Sequence, residues 1–152
     1  MLVSEKILRE WIETELSADE LAETLTMGGI EVEEVISEDK WLKSVLVGKV
    51  LSVKAHPNAD KLKICKVLVD EELQIICGAP NVVEGSYVVC AKVGSLLPKN
   101  LKIKSSKIRG VVSNGMLCSE KELGLSDDGE GIIILESNLA DKLGTPISEV
   151  LN

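Results

Sequence analysis

The sequence predicts a mainly β fold with some helix, a small antiparallel barrel or sandwich behind an N-terminal helical appendage. Three observations predict it. From Val45 onward, short runs of β-type residues alternate with turn residues at close spacing. Before Val45, apolar residues recur at helical spacing around a capping-box motif. The charge changes sign at the same place: residues 1–43 hold 4 basic and 12 acidic residues, 44–118 hold 11 and 5, and 119–152 hold 2 and 8.

In chain order, Ile7, Leu8, Trp11, Ile12 and Leu16 predict helix near the start, with Ser4 as its cap. Ser17 and Glu20 form an S-x-x-E box that opens a second helix, Leu21, Ala22 and Leu25 give it one apolar face, and Gly28-Gly29 ends it. IEVEEVI (30–36) alternates as a strand does. The β-type runs are 45–54, 62–69, 73–77, 86–93, 101–104, 107–112 and 131–135, with SEKELG (119–124) as a brief helix and one helical turn from Pro146 to Asn152.

With 45% apolar residues the chain can build a true core. No window approaches the roughly 18 uninterrupted apolar residues of a membrane span, and the N-terminus lacks the pattern of a signal peptide, so a cytoplasmic protein is expected. Cys65, Cys77, Cys90 and Cys118 show no CxxC spacing, and His56 is the sole histidine. These features predict reduced, mostly buried thiols rather than a zinc site. Aromatic residues amount to 2%, which turns any nucleic-acid reading away from base stacking and towards phosphate contacts.

Five of the 17 basic residues fall within positions 99–109, with no acid among them. Such a patch on an acidic protein favours directional docking of a polyanion, although scattered lysines also serve merely to keep strands soluble. In LKIKSSKIRG (101–110), a turn or bulge at Ser105-Ser106 is expected to return Lys102, Lys104, Lys107 and Arg109 to one face. In HPNADKLKICKV (56–67), Asn58 and Asp60 suit an Asx-type turn, and Lys61 and Lys63 project from one side of the strand that follows. His56 reads as structural. In SNGM (113–116), Gly115 suits a positive φ, and the Ser113 and Asn114 side chains can bond a phosphate, a sugar or a nearby backbone group. Enzyme signatures fail: Gly110 and Gly115 have P-loop spacing, but Met116 stands where lysine is required. Asp127-Asp128-Gly129-Glu130 lacks the spacing of a calcium loop and reads as a solvated turn.

HPNADKL (56–62), QIICGAPNV (74–82), the basic stretch 103–110, SNGMLCSEKELGL (113–125) and DDGEGIIIL (127–135), in that order, resemble the N-terminal part of the β subunit of bacterial phenylalanyl-tRNA synthetases. The resemblance implies a five-stranded oligonucleotide-binding (OB) barrel at 40–151, a tRNA-binding domain. Residues 1–39, with TMGGIEVEEV (26–35), resemble the first half of a small domain that wraps this barrel. The chain is then a fragment of a longer subunit. The parent is implied to be an ATP- and magnesium-dependent ligase, whereas this chain alone needs no cofactor and catalyses nothing. Its implied partners are tRNA, the rest of the β subunit and the α subunit. Carried onto matching positions, RNA contact falls to Lys61, Lys63, Lys104, Lys107, Arg109, Ser113, Asn114 and Met116, with Lys102 added on charge alone. The rival expectation is a structural or docking module, or a homodimer, with little affinity for RNA.

Overall fold

In the computed structural model, residues 1–36, 40–136 and 138–150 are described. The chain divides into two compact units, Met1–Glu38 and Asp39–Asn152.

In the first unit, α1 (Glu5–Trp11) is shorter than its apolar spacing predicts, and the Ser4 side chain does not cap it. Ile12 is already extended. The Arg9 guanidinium, paired with Glu5, also donates to the carbonyls of Thr14 (3.1 Å) and Leu16 (2.6 Å), which turns the chain back where a longer helix was expected. In α2 (Ala18–Met27) the capping box forms in full, with Ser17 Oγ accepting from Glu20 N–H and the Glu20 carboxylate accepting from Ser17 N–H. Residues 30–36 form no strand, contrary to their alternation.

The second unit is built on strands β1 (Val45–His56), β2 (Ala59–Leu68), β3 (Glu72–Cys77), β4 (Tyr87–Lys92), β5 (Leu96–Leu97), β6 (Leu101–Lys102), β7 (Ser106–Ile108), β8 (Val111–Ser113), β9 (Gly115–Leu117) and β10 (Ile134–Leu135). The main sheet runs β10-β4-β1-β2-β3, with β9 also on β4. At the far edge, Asn114 N–H donates to Gln74 O (2.8 Å), Gln74 Nε2 to Val112 O (2.8 Å), and Ile76 N–H to Ser113 Oγ (3.1 Å). These bonds bring β8 and β9 against β3 and nearly close a five-stranded antiparallel barrel, as the OB fold requires.

The apolar runs now make sense. Val50, Cys65, Val67, Ile75, Val88, Cys90 and Leu117 fill the barrel. Val45, Val47, Val89, Ala91, Leu97, Cys118 and Ile147 form a second cluster on the other side of β1 and β4. β4 and the first half of β1, Val45–Val50, are therefore covered on both faces, while β2 carries lysines among its apolar residues. A register shift between Val50 and Ser52 lets Val53 pack inward after Val50. Segment 139–147 belongs to the outer layer, where Val47 N–H donates to Thr145 O and Gly144 N–H to Val47 O.

One expectation is corrected by geometry and another is met. Residues 119–124 form a single capped turn, with Ser119 and Glu122 bonded reciprocally and Leu125 N–H reaching Glu120 O; with both ends capped so close together, no helix interior is left. Gly115 has the positive φ expected of it, 159°, and space demands glycine as well, because a Cβ would lie 2.7 Å from Ala91 O. At the end of the unit, Ile147–Glu149 make one 3₁₀ turn, and the remainder of the expected turn, 151–152, lies outside the described residues.

Candidate nucleic-acid interface

The β7–β8 hairpin carries Lys107 and Arg109. Its ladder pairs Ile108 with Val111, leaving Arg109 (φ 52°) and Gly110 (φ 87°) as a two-residue turn with both residues left-handed. Lys107 and Arg109 are exposed. The tip rests on the β1–β2 turn. There the ring of His56, 5% exposed, accepts from Asn58 N–H at Nδ1 (3.0 Å), which leaves Nε2 to donate to Ile108 O (2.9 Å). Asn58 Nδ2 donates to Arg109 O (3.1 Å). Asn58 thus reaches across to the hairpin instead of forming the expected Asx turn.

Lys61 follows that turn directly and is exposed. Lys63 shares the strand face that continues through buried Cys65 and Val67, so both lysines mark where that face runs off the end of the core. Lys63 is half-buried and donates to Pro80 O at 3.4 Å. Lys102 lies on β6, in a separate ladder with β5, and Lys104 follows in the connection to β7; both are exposed. The chain leaves strand geometry between Lys102 and Ser106, and all four charges at 102–109 stay out of the core, Lys102 on one hairpin, Lys107 and Arg109 on the other and Lys104 in the link between them.

Other site residues have structural duties. Ser113 is 2% exposed, and its hydroxyl accepts from Ile76 N–H and donates to Gly115 O, so the nearby-backbone option is the one realised. Asn114 Oδ1 accepts from Ser105 Oγ (2.7 Å), and half-buried Met116 packs against the outer cluster. Lys99, exposed at φ 61° in the β5–β6 turn, is a further cation that residue alternation could not have singled out. Among the described residues, ion pairs engage only Arg9 and Lys92, the latter held by Asp70 (2.9 Å) and Glu71 (2.7 Å). The cations at 61 and 102–109 have no acidic partner within that set.

All four cysteines are buried free thiols. Burial pushes Cys65 up to about 11 and Cys90 to about 12, and also raises Cys77 and Cys118. No described helix is long and apolar enough to cross a membrane.

Residues 45–145 match the family described as "Putative tRNA binding domain". The chain belongs to this family. Phenylalanine–tRNA ligase beta subunits are its sequence relatives: that of Geobacter sulfurreducens is 49% identical over 99% of this chain, and that of Aromatoleum aromaticum 50% identical over 91%. The chain covers 19% and 18% of those proteins, about a fifth of their length. Among solved structures, a MetRS-related protein from Pyrococcus horikoshii matches with a TM-score of 0.51 at 23% identity, covering 74% of this chain and 96% of that one. A likeness of that size reports the shared barrel. The tRNA-binding-domain match spans both hairpins and the β1–β2 turn, so every residue of the interface falls within it.

Proposed function

We propose that the chain is a tRNA-binding module of a phenylalanine–tRNA ligase β subunit, holding folded tRNA by its phosphates and shape. The observation that carries the reading is the exposure, within the family's matched segment, of Lys61, Lys102, Lys104, Lys107 and Arg109 without acidic partners among the described residues. Lys63 and Asn114 border that surface, and Ser113 and Met116 support it from within. The scarcity of aromatic side chains agrees with a phosphate mode. In this reading the chain supports aminoacylation in the cytoplasm without a cofactor or a chemical step of its own, while ATP and magnesium serve other parts of the parent and its α subunit.

Titration of folded tRNA at several salt concentrations tests it. Five phosphate contacts give a log–log slope of about −3.5 to −4.5, at 0.7 to 0.9 per contact. Reversing the charge at Lys107 and Arg109 together should weaken all tRNAs alike, and unchanged affinity would remove the proposed surface. A second reading, docking within the synthetase or dimerisation, draws on the exposed Leu2, Trp11, Met27 and Ile36 of the first unit. A monomeric mass in solution together with no association with the α subunit would dispose of it.

A further inference from the structure

We infer that His56 and Asn58 are positioning residues for the RNA surface: they clamp the β7–β8 tip so that Lys107 and Arg109 are presented at a fixed place beside Lys61. The inference rests on the tRNA-binding reading and adds a mechanism to it.

The hairpin has two kinds of anchor. Its base is fixed to β3 through Gln74 and Ser113. Among the described residues, the tip has only two hydrogen bonds to the rest of the barrel, from His56 Nε2 to Ile108 O and from Asn58 Nδ2 to Arg109 O. Both donors reach main-chain carbonyls 52 and 51 residues away, so they fix backbone position and leave the cationic side chains of Lys107 and Arg109 unspent. The His56 ring can be oriented in one way only, because its Nδ1 is occupied by Asn58 N–H. A two-residue turn with Arg109 in the left-handed region has little sequence preference to hold it, since glycine and asparagine are the residues at ease there. Its fixed geometry therefore comes from the clamp. A cation held in place before binding forfeits less freedom on meeting a phosphate, which is how a group without ligand contact raises affinity.

Salt-dependent tRNA titration of the whole chain separates positioning from mere stability. The variants are His56→Phe, which keeps the ring volume and loses both nitrogens; His56→Gln, which keeps a donor towards Ile108 O; Asn58→Ala; and the pair Lys107→Ala/Arg109→Ala. The paired alanine variant should lower the slope magnitude by about 1.4 to 1.8 and weaken binding roughly 25- to 60-fold at about 0.1 M salt. His56→Phe should weaken binding at fixed salt, His56→Gln should restore the affinity, and His56→Phe added to the alanine pair should weaken it no further. A folded His56→Phe with the wild-type affinity overturns the inference. Should that variant fail to fold, Asn58→Ala decides, because Asn58 is exposed and contributes only its amide bond to the tip; a wild-type affinity there has the same force. If the alanine pair itself binds as wild type, the tRNA surface is wrong and the clamp falls with it.

Discussion

Asn81 and Gly131 should be coupled so strongly that the second substitution costs nothing once the first is made. Asn81 grips the backbone of Ile132 from both sides, Nδ2 donating to its carbonyl (2.9 Å) and Oδ1 accepting from its N–H (3.0 Å). Ile132 is 7% exposed, so Asn81→Ala leaves a donor and an acceptor in poor contact with water, a loss of about 2 to 3 kcal/mol. A Cβ at Gly131 would stand 2.8 Å from Nδ2, 2.9 Å from Cγ and 3.0 Å from Oδ1, overlapping the whole amide. Gly131→Ala must therefore expel Asn81 and forfeit the same two bonds, again about 2 to 3 kcal/mol. With Asn81 already alanine, the added methyl meets open space and gains about 0.4 to 1 kcal/mol by restricting the unfolded chain. Urea unfolding followed by fluorescence suits the measurement, because Trp41 packs on the outer cluster of the barrel whereas Trp11 is 83% exposed. The double variant should match Asn81→Ala or slightly exceed it in stability. Additivity of the two losses within about 0.5 kcal/mol would refute the overlap.

Two more outcomes follow from the interior and the rim. The four thiols should resist iodoacetamide at pH 8 in the native protein and react together on unfolding, read by intact mass; rapid labelling of any one in the folded chain would contradict its burial. Asp70 is held below the usual carboxylate range chiefly by its hydrogen bond from Lys92, so the pair's contribution is complete above the ordinary aspartate pKa and is lost as pH falls through the lowered value. Both acids are more than half exposed, and the effect should stay below about 1 kcal/mol. Asp70→Asn should accordingly flatten the acid side of the stability profile slightly and leave neutral pH within that margin, as judged by urea midpoints from pH 3 to 7.

The barrel strands were legible because burial imposes a period of two, and a run such as YVVCAK announces a strand covered on both faces. Alternation misled at 30–36, where the pattern exists but no ladder does, and the brief helix expected at 119–124 is a single turn with both caps present. At the interface, sequence showed which residues are charged. It could not show that His56 meets Ile108 or that Asn81 meets Ile132, since each bond spans about 50 residues and neither partner advertises the other. Ser113 illustrates the remaining ambiguity, because a serine between a basic hairpin and a glycine looks equally ready for a phosphate or for a buried amide until its neighbour on β3 is known.

The two-sided burial of β4 and the first half of β1 divides the barrel into a wall that cannot vary and a wall that can. Any polar replacement along Val45, Val47, Val88 or Val89 enters one apolar layer or the other, whereas the start of β2 at Lys61 and the β7–β8 hairpin at Lys107 and Arg109 stand in water. A lineage or a designer seeking a different ligand has its freedom on that second wall alone, and the cations already stand there.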